Sequence, residues 1–242
     1  MTLYTTLTPF VNTCMASHDP SHNPAHVHRV VSLARSILRA EQALHPETRY
    51  STEVVDLAAL LHDVGDRKYL DQVREIIISA ASASSSSGLR KQDEEEVEVD
   101  ADTLVLQTLL SHGASRELAT RVQTIVSHVS YTREKKDPEA VRRLIEDDGD
   151  VELAIVQDAD RLDALGAVGI GRCFTFLGAQ GRKFVPEGGA WEMENSIEHF
   201  QEKLETLEGM MKTQTGREMA RVRTQRLVEF RGWWEEEMAL VE

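Results

Sequence analysis

The chain has 242 residues, 27 Lys+Arg against 41 Asp+Glu, and a formal net charge of −14. That length supports one large buried core, and the negative field excludes duplex or long single-stranded nucleic acid as a partner. Two cysteines, Cys14 and Cys173, stand far apart, and the longest apolar stretch, VVDLAALL, falls well short of the roughly 18 residues of a membrane span. A reducing, cytoplasmic setting without a membrane partner is expected.

Before Asn23 the chain lacks the basic start and cleavage-like end of a signal peptide. Asn23-Pro24 then joins a capping residue to a first-turn proline, and Val27, Val30, Val31, Ala34, Ile37 and Leu38 follow at helical spacing. Ser51 is placed to cap a second run, Val54 to Leu61, which is apolar on nearly every side and reads as a buried central helix stopped by Gly65. Residues 79–100 turn small, polar and then acidic (SSSSGLRKQDEEEVEVD), a composition that predicts a mobile surface insertion. A run from Thr103 to His112 ends at Gly113, and Ser115 starts a helix carrying Leu118, Val122, Ile125, Val126 and Val129. Pro138 opens a further turn. Asp150 is placed to cap one long run from Val151 towards Leu177, and Pro186, Gly188 and Gly189 mark a loop. Ile197, Phe200, Leu204, Leu207 and Met211 predict one amphipathic helix, and MARVRTQRLVEFRGWW a last one. No alternating pattern predicts a strand, so the fold class is all-α in a single domain, 1–242.

Three of these runs carry the same chemistry. His26 opens the first, the adjacent pair His62-Asp63 closes the second, and Asp160 lies in VQDADRLDALG. Two imidazoles and two carboxylates suit one divalent cation, and a cation held that way activates water against a phosphate ester. Asp is seldom buried without a partner, so the His62-Asp63 pair needs one; from that pair alone, His62 as a cap and Asp63 paired with Arg67 is the bland alternative. In VQDADRLDALG, helical geometry puts Val156, Asp160, Asp163 and Ala167 on one side, with Asp158 about 200° from Asp160 and free to cap or pair elsewhere. His26 stands beside the core-facing stripe among His18, His22 and His28, with His22 lining the entrance.

The strings HVHRV, ALLHDVGD and QDADRLDALGAVGIGR resemble the HxxRV, ALLHDxxD and QDADRLDALGAxGxxR signatures of a bacterial and fungal subgroup of HD-domain proteins. The likeness continues through SIEHFQEKLETL and TGREMARVR and covers most of residues 18–231 outside the insertion. It implies a metal-dependent phosphohydrolase: an all-helical bundle with a central ion held by His26, His62, Asp63 and Asp160. Some such relatives split nucleoside triphosphates into monophosphate and pyrophosphate, so a small phosphorylated substrate, preferably a nucleotide, is expected. One departure is SHNPAH where relatives carry SHDxxH, which puts Asn23 in place of an acid.

Manganese or magnesium suits the carboxylates, while two histidines also admit iron, cobalt or nickel. One ion rather than two is expected, because no adjacent acidic or histidine pair bridges His112 and His128 to a second. Asp66, one turn beyond His62, is the candidate to accept the water proton, and His128 to orient a phosphate or protonate the leaving group. Arg29, Lys68 and Arg161 are candidates to neutralise phosphate oxygens, with His22 and Asp163 completing the substrate-binding set. A nonhydrolytic nucleotide-binding sensor using the same pocket is the competing reading.

Overall fold

In the computed structural model, which describes residues 2–64 and 102–241, the chain folds into helices, with no strand among the described residues. Gly65, Asp66, Lys68 and the expected insertion over 79–100 lie outside the described residues. The first helix, α1 (Leu3–Met15), starts where the Thr2 side chain accepts the Thr5 amide, and it buries Leu7, Val11, Cys14 and Met15. In α2 (Pro24–Leu44), Asn23 Oδ1 accepts the Ala25 amide at 3.0 Å and Pro24 occupies the first turn, as the sequence predicts. Ser51 caps α3 (Thr52–Leu61), whose residues from Leu57 to Leu61 are all buried. It packs against α1 and α2.

α4 (Leu104–Ser111) ends at His112-Gly113, and Ser115 caps α5 (Arg116–Val129). Two short helices follow, α6 (Tyr131–Lys136) and α7 (Pro138–Glu146). The run expected to continue from Val151 towards Leu177 is instead two helices, α8 (Glu152–Asp163) and α9 (Gly166–Gln180), meeting at a 70° bend. Gly166 makes the corner: its φ of +70° lies in the left-handed region that side chains disfavour, and a Cβ there would sit 3.2 Å from Arg223 Cγ. Asp150 does not cap α8, because its carboxylate takes Arg121 Nε at 3.0 Å. The expected helix over 197–211 is also split, into α10 (Glu194–Glu202) and a 3-10 segment, Leu204–Met210. A long final helix, α11 (Gln214–Met238), closes the fold.

α8 packs against α2, α3, α5 and α11, and every one of its residues except Asp160 is buried. Its polar residues therefore need partners inside the protein. Asp158 finds them at the start of α11, where it accepts the Lys212 amide at 2.9 Å, the Thr213 amide at 2.8 Å and the Thr213 hydroxyl at 2.7 Å. Glu41 of α2 accepts the Thr215 amide at 2.8 Å. Two buried carboxylates thus satisfy the unpaired amides at this helix N-terminus, where negative charge is favoured. They bolt α8 and α2 to α11. No single helix among the described residues is long and apolar enough to cross a membrane.

Candidate metal centre

The capping of α2 by Asn23 puts His26 in the first turn, and the end of α3 puts His62 at its C-cap; the two imidazoles are buried against each other. Each ring has one nitrogen committed behind it. His26 Nδ1 donates to Asp163 Oδ2 at 2.7 Å, and His62 Nδ1 donates to the Ala59 carbonyl at 2.9 Å. Since a carbonyl and an ionised carboxylate only accept, each ring in its neutral, metal-binding form carries its lone pair on Nε2, and the two Nε2 atoms face each other 3.2 Å apart.

Two carboxylates face the same point. Asp63 Oδ2 lies 3.2 Å from His26 Nε2 and 3.3 Å from His62 Nε2, while Asp160 Oδ1 lies 3.6 and 3.8 Å from them. Ligand atoms of His26, His62 and Asp160 all fall within 4.8 Å of one another, a group able to hold a metal ion. Asp63 Oδ2 is buried yet makes no hydrogen bond. Four inward donors, one of them an orphaned carboxylate oxygen, fit a cation rather than a hydrogen-bonded core. The electrostatics agree. Burial alone would depress the His62 imidazole, but Asp63 and Asp160 outweigh it and raise it to about 9. Burial alone would raise the Asp63 carboxyl, but His62 and His26 hold it well below the usual carboxylate range. The pocket favours a positive charge at its centre.

Behind His26, Asp163 is almost fully buried and meets two guanidinium groups as well as the His26 ring. Besides His26 it accepts Arg29 Nε at 2.7 Å and Arg29 Nη2 at 2.9 Å, and Arg172 Nη1 lies 3.0 Å away. Against its burial, His26, Arg29 and Arg172 hold its carboxyl below the usual range. Asp163 and Arg29, expected among the substrate-binding residues, are thus paired with each other on the far side of the His26 ring from Nε2.

Arg161 is corrected more sharply. It follows Asp160 by about 100° around α8, and its guanidinium is buried on Glu134 and on the Met210 carbonyl, the latter at 2.9 Å. Lys212 Nζ completes that ion cluster, 2.7 Å from Glu134 Oε1. His128 is half-buried, with Nδ1 donating to the Thr124 carbonyl at 2.7 Å, and none of its described contacts joins its ring to the His26 cluster. His22 does stand at the centre: its ring lies 5.7 Å from that of His26, edge-on, and burial pushes it down to about 4. Its Nδ1 meets Ser21 Oγ at 2.7 Å, and Ser21 in turn donates to Asp19.

Arg172 went unassigned in the sequence reading, although it ends the QDADRLDALGAVGIGR string. It ties Asp163 to the loop before α2, donating from Nε to the Ser21 carbonyl at 2.7 Å. Its sequence signal is that it is the first cation after Asp163 in a stretch without an acid until Glu187.

The HD domain family model matches residues 25–165, the span from the start of α2 to the corner after α8. The Bacillus subtilis (strain 168) protein YpgQ is 32% identical over 221 residues, covering 91% of this chain and 86% of the relative. A crystal structure of B. subtilis YpgQ in complex with ADP superposes with a TM-score of 0.63 at 27% identity, covering 97% of this chain and 94% of that one. An HD-superfamily hydrolase from Bacillus thuringiensis gives a TM-score of 0.60 at 25% identity, covering 98% and 96%. With the histidine-aspartate cluster inside the matched span, this chain belongs to the HD domain family.

Proposed function

We propose that this protein is a metal-dependent phosphohydrolase acting on a nucleotide, with His26, His62, Asp63 and Asp160 holding one divalent ion. The observation that carries the proposal is the inward pair of Nε2 atoms, each fixed by a committed Nδ1, facing two carboxylates. The likeness to an HD-superfamily hydrolase supports the reaction class, and the ADP bound to YpgQ supports a nucleotide. Manganese or magnesium is the proposed ion, and cleavage to monophosphate and pyrophosphate the proposed reaction. Two free cysteines fit a reducing, cytoplasmic setting.

Bound there, such an ion supplies a water of lowered pKa and offsets charge on the phosphoryl oxygens. The chain's own residues prepare for it. Asp163 holds the proton on His26 Nδ1, Arg29 and Arg172 keep Asp163 anionic, and the Ala59 carbonyl fixes His62. Asp160, the only residue of α8 left unburied, marks the open side of the pocket, where substrate enters. Asp66 as proton acceptor, Lys68 as phosphate partner and His128 as leaving-group donor complete the proposal from their sequence positions.

The test is a nucleotide panel with manganese, separating orthophosphate from pyrophosphate, on protein of measured metal content. Phosphate or pyrophosphate release that vanishes in Asp63→Ala supports the hydrolase. Tight nucleotide binding without turnover under several metals supports the sensor instead.

A further inference from the structure

Three rings lead outward from the metal centre in consecutive contacts. The His22 ring is 5.7 Å from that of His26; the Phe176 ring is 5.7 Å from His22; and the Phe184 ring is 5.7 Å from Phe176, tilted by 33°. Phe184, at the outer end, is 67% exposed. A large apolar ring left in water beside a polar cluster is the exception that asks for an occupant.

Phe184 follows α9 directly, at the end of a 3-10 turn over Gly181–Lys183, and the aromatic residues of α9 divide between two sides of the helix. Phe174 lies two residues before Phe176, about 200° around the helix, and it packs with Phe200, Phe230 and Trp234 on the core side. Phe176 therefore takes the opposite side of α9, towards His22. Positive charge stands beside it in sequence: in a chain of net charge −14, residues 164–186 hold no acid, and the exposed Arg182 and Lys183 immediately precede Phe184, while Arg172 is already committed to Asp163 and the Ser21 carbonyl. The segment combines an aromatic platform with positive charge next to a group able to hold a metal, which is the pairing that binds a base and its phosphates together.

We propose that Phe184, backed by Phe176, is the platform on which the base of a nucleotide stacks while its phosphates reach the metal centre past His22. The inference rests on the nucleotide reading above and names the part of the protein that selects for a base. Phosphate chains without a base gain nothing from this surface.

The experiment compares binding of ADP and of inorganic tripolyphosphate, by calorimetry with manganese present, in wild type, Phe184→Ala and Phe184→Trp. Wild type is expected to prefer ADP. Phe184→Ala is expected to raise the ADP Kd roughly tenfold, the change that one stacked base supplies. Tripolyphosphate binding should stay unchanged, and Phe184→Trp should keep ADP binding. An unchanged ADP Kd in Phe184→Ala, or equal losses for both probes, overturns the stacking platform and leaves the hydrolase reading standing. Wild type that binds tripolyphosphate but not ADP overturns the nucleotide reading and the platform with it. Turnover measured on the same samples separates these outcomes from failure of the hydrolase itself.

Discussion

Asp163 Oδ2 lies 2.7 Å from His26 Nδ1, so the acid that shares a helix face with Asp160 acts on the centre through the back of an imidazole. A carboxylate in that place fixes the tautomer and raises the basicity of the ring's other nitrogen. Asp163→Asn keeps the shape but offers an amide that either donates or accepts. Metal affinity is expected to fall roughly 10- to 100-fold, with the helical circular dichroism unchanged. A metal titration with wild-type affinity would remove Asp163 from this role.

Asp63→Ala and Asp160→Ala test the inward carboxylates directly. Each is expected to lose bound metal and phosphate-releasing activity together. Chelation of wild type should reproduce the loss, and added manganese should reverse it in wild type only. Metal content by mass spectrometry, read beside turnover, decides the matter: full activity in a metal-free variant would separate the cluster from the chemistry.

The close approach of α8 to the start of α11 makes Gly216 sensitive. A Cβ at Gly216 would fall 2.2 Å from Asp158 Oδ2 and 2.7 Å from Thr213 Oγ1. These atoms are the helix cap itself, so they cannot yield without losing their bonds. Gly216→Ala is expected to cost about 1–3 kcal/mol, read as a lowered urea midpoint at constant slope.

Glu134 gives the fold a pH dependence of known sign. Burial would raise its carboxyl, but Lys212 and Arg161 outweigh burial and hold it below its ordinary value of 4.5. A carboxylate depressed in the folded state stabilises the fold above its unfolded value, and that contribution disappears as pH falls through the folded one. Glu134→Gln should therefore be less stable than wild type at pH 7, with the gap beginning to close only as pH falls below 4.5 and closing fully below the folded value. Urea midpoints taken down to acid pH check this, and a gap that stays constant would show that Glu134 acts through shape alone.

Much of the helix order was legible because caps are local chemistry. Asn23, Ser51 and Ser115 each accept an amide two or three residues on, and apolar spacing carries the rest. The four centre residues were legible because each sits near a helix end or beside an apolar stripe where a polar side chain needs a reason. α1 was missed: its run LYTTLTPFVNTCM mixes threonines and an internal proline, Pro9, and is held by tertiary burial rather than propensity. The corner after Asp163 was missed because Gly166 in the left-handed region reads in sequence like any other glycine. Arg161 was misplaced because periodicity tells which face a residue takes but not which remote partner waits there. Glu134, 27 positions earlier, is that partner.

The 70° corner at Gly166 also governs what this segment tolerates. Asp160 and Asp163 lie just before it and Arg172 just after, so the turn folds the cation back onto the acid nine residues upstream of it. One residue inserted between positions 167 and 171 would rotate Arg172 by about 100° around α9. Asp163 would then lose a counter-charge although no charged side chain had been altered. Spacing across this bend is as much a part of the site as the side chains it delivers.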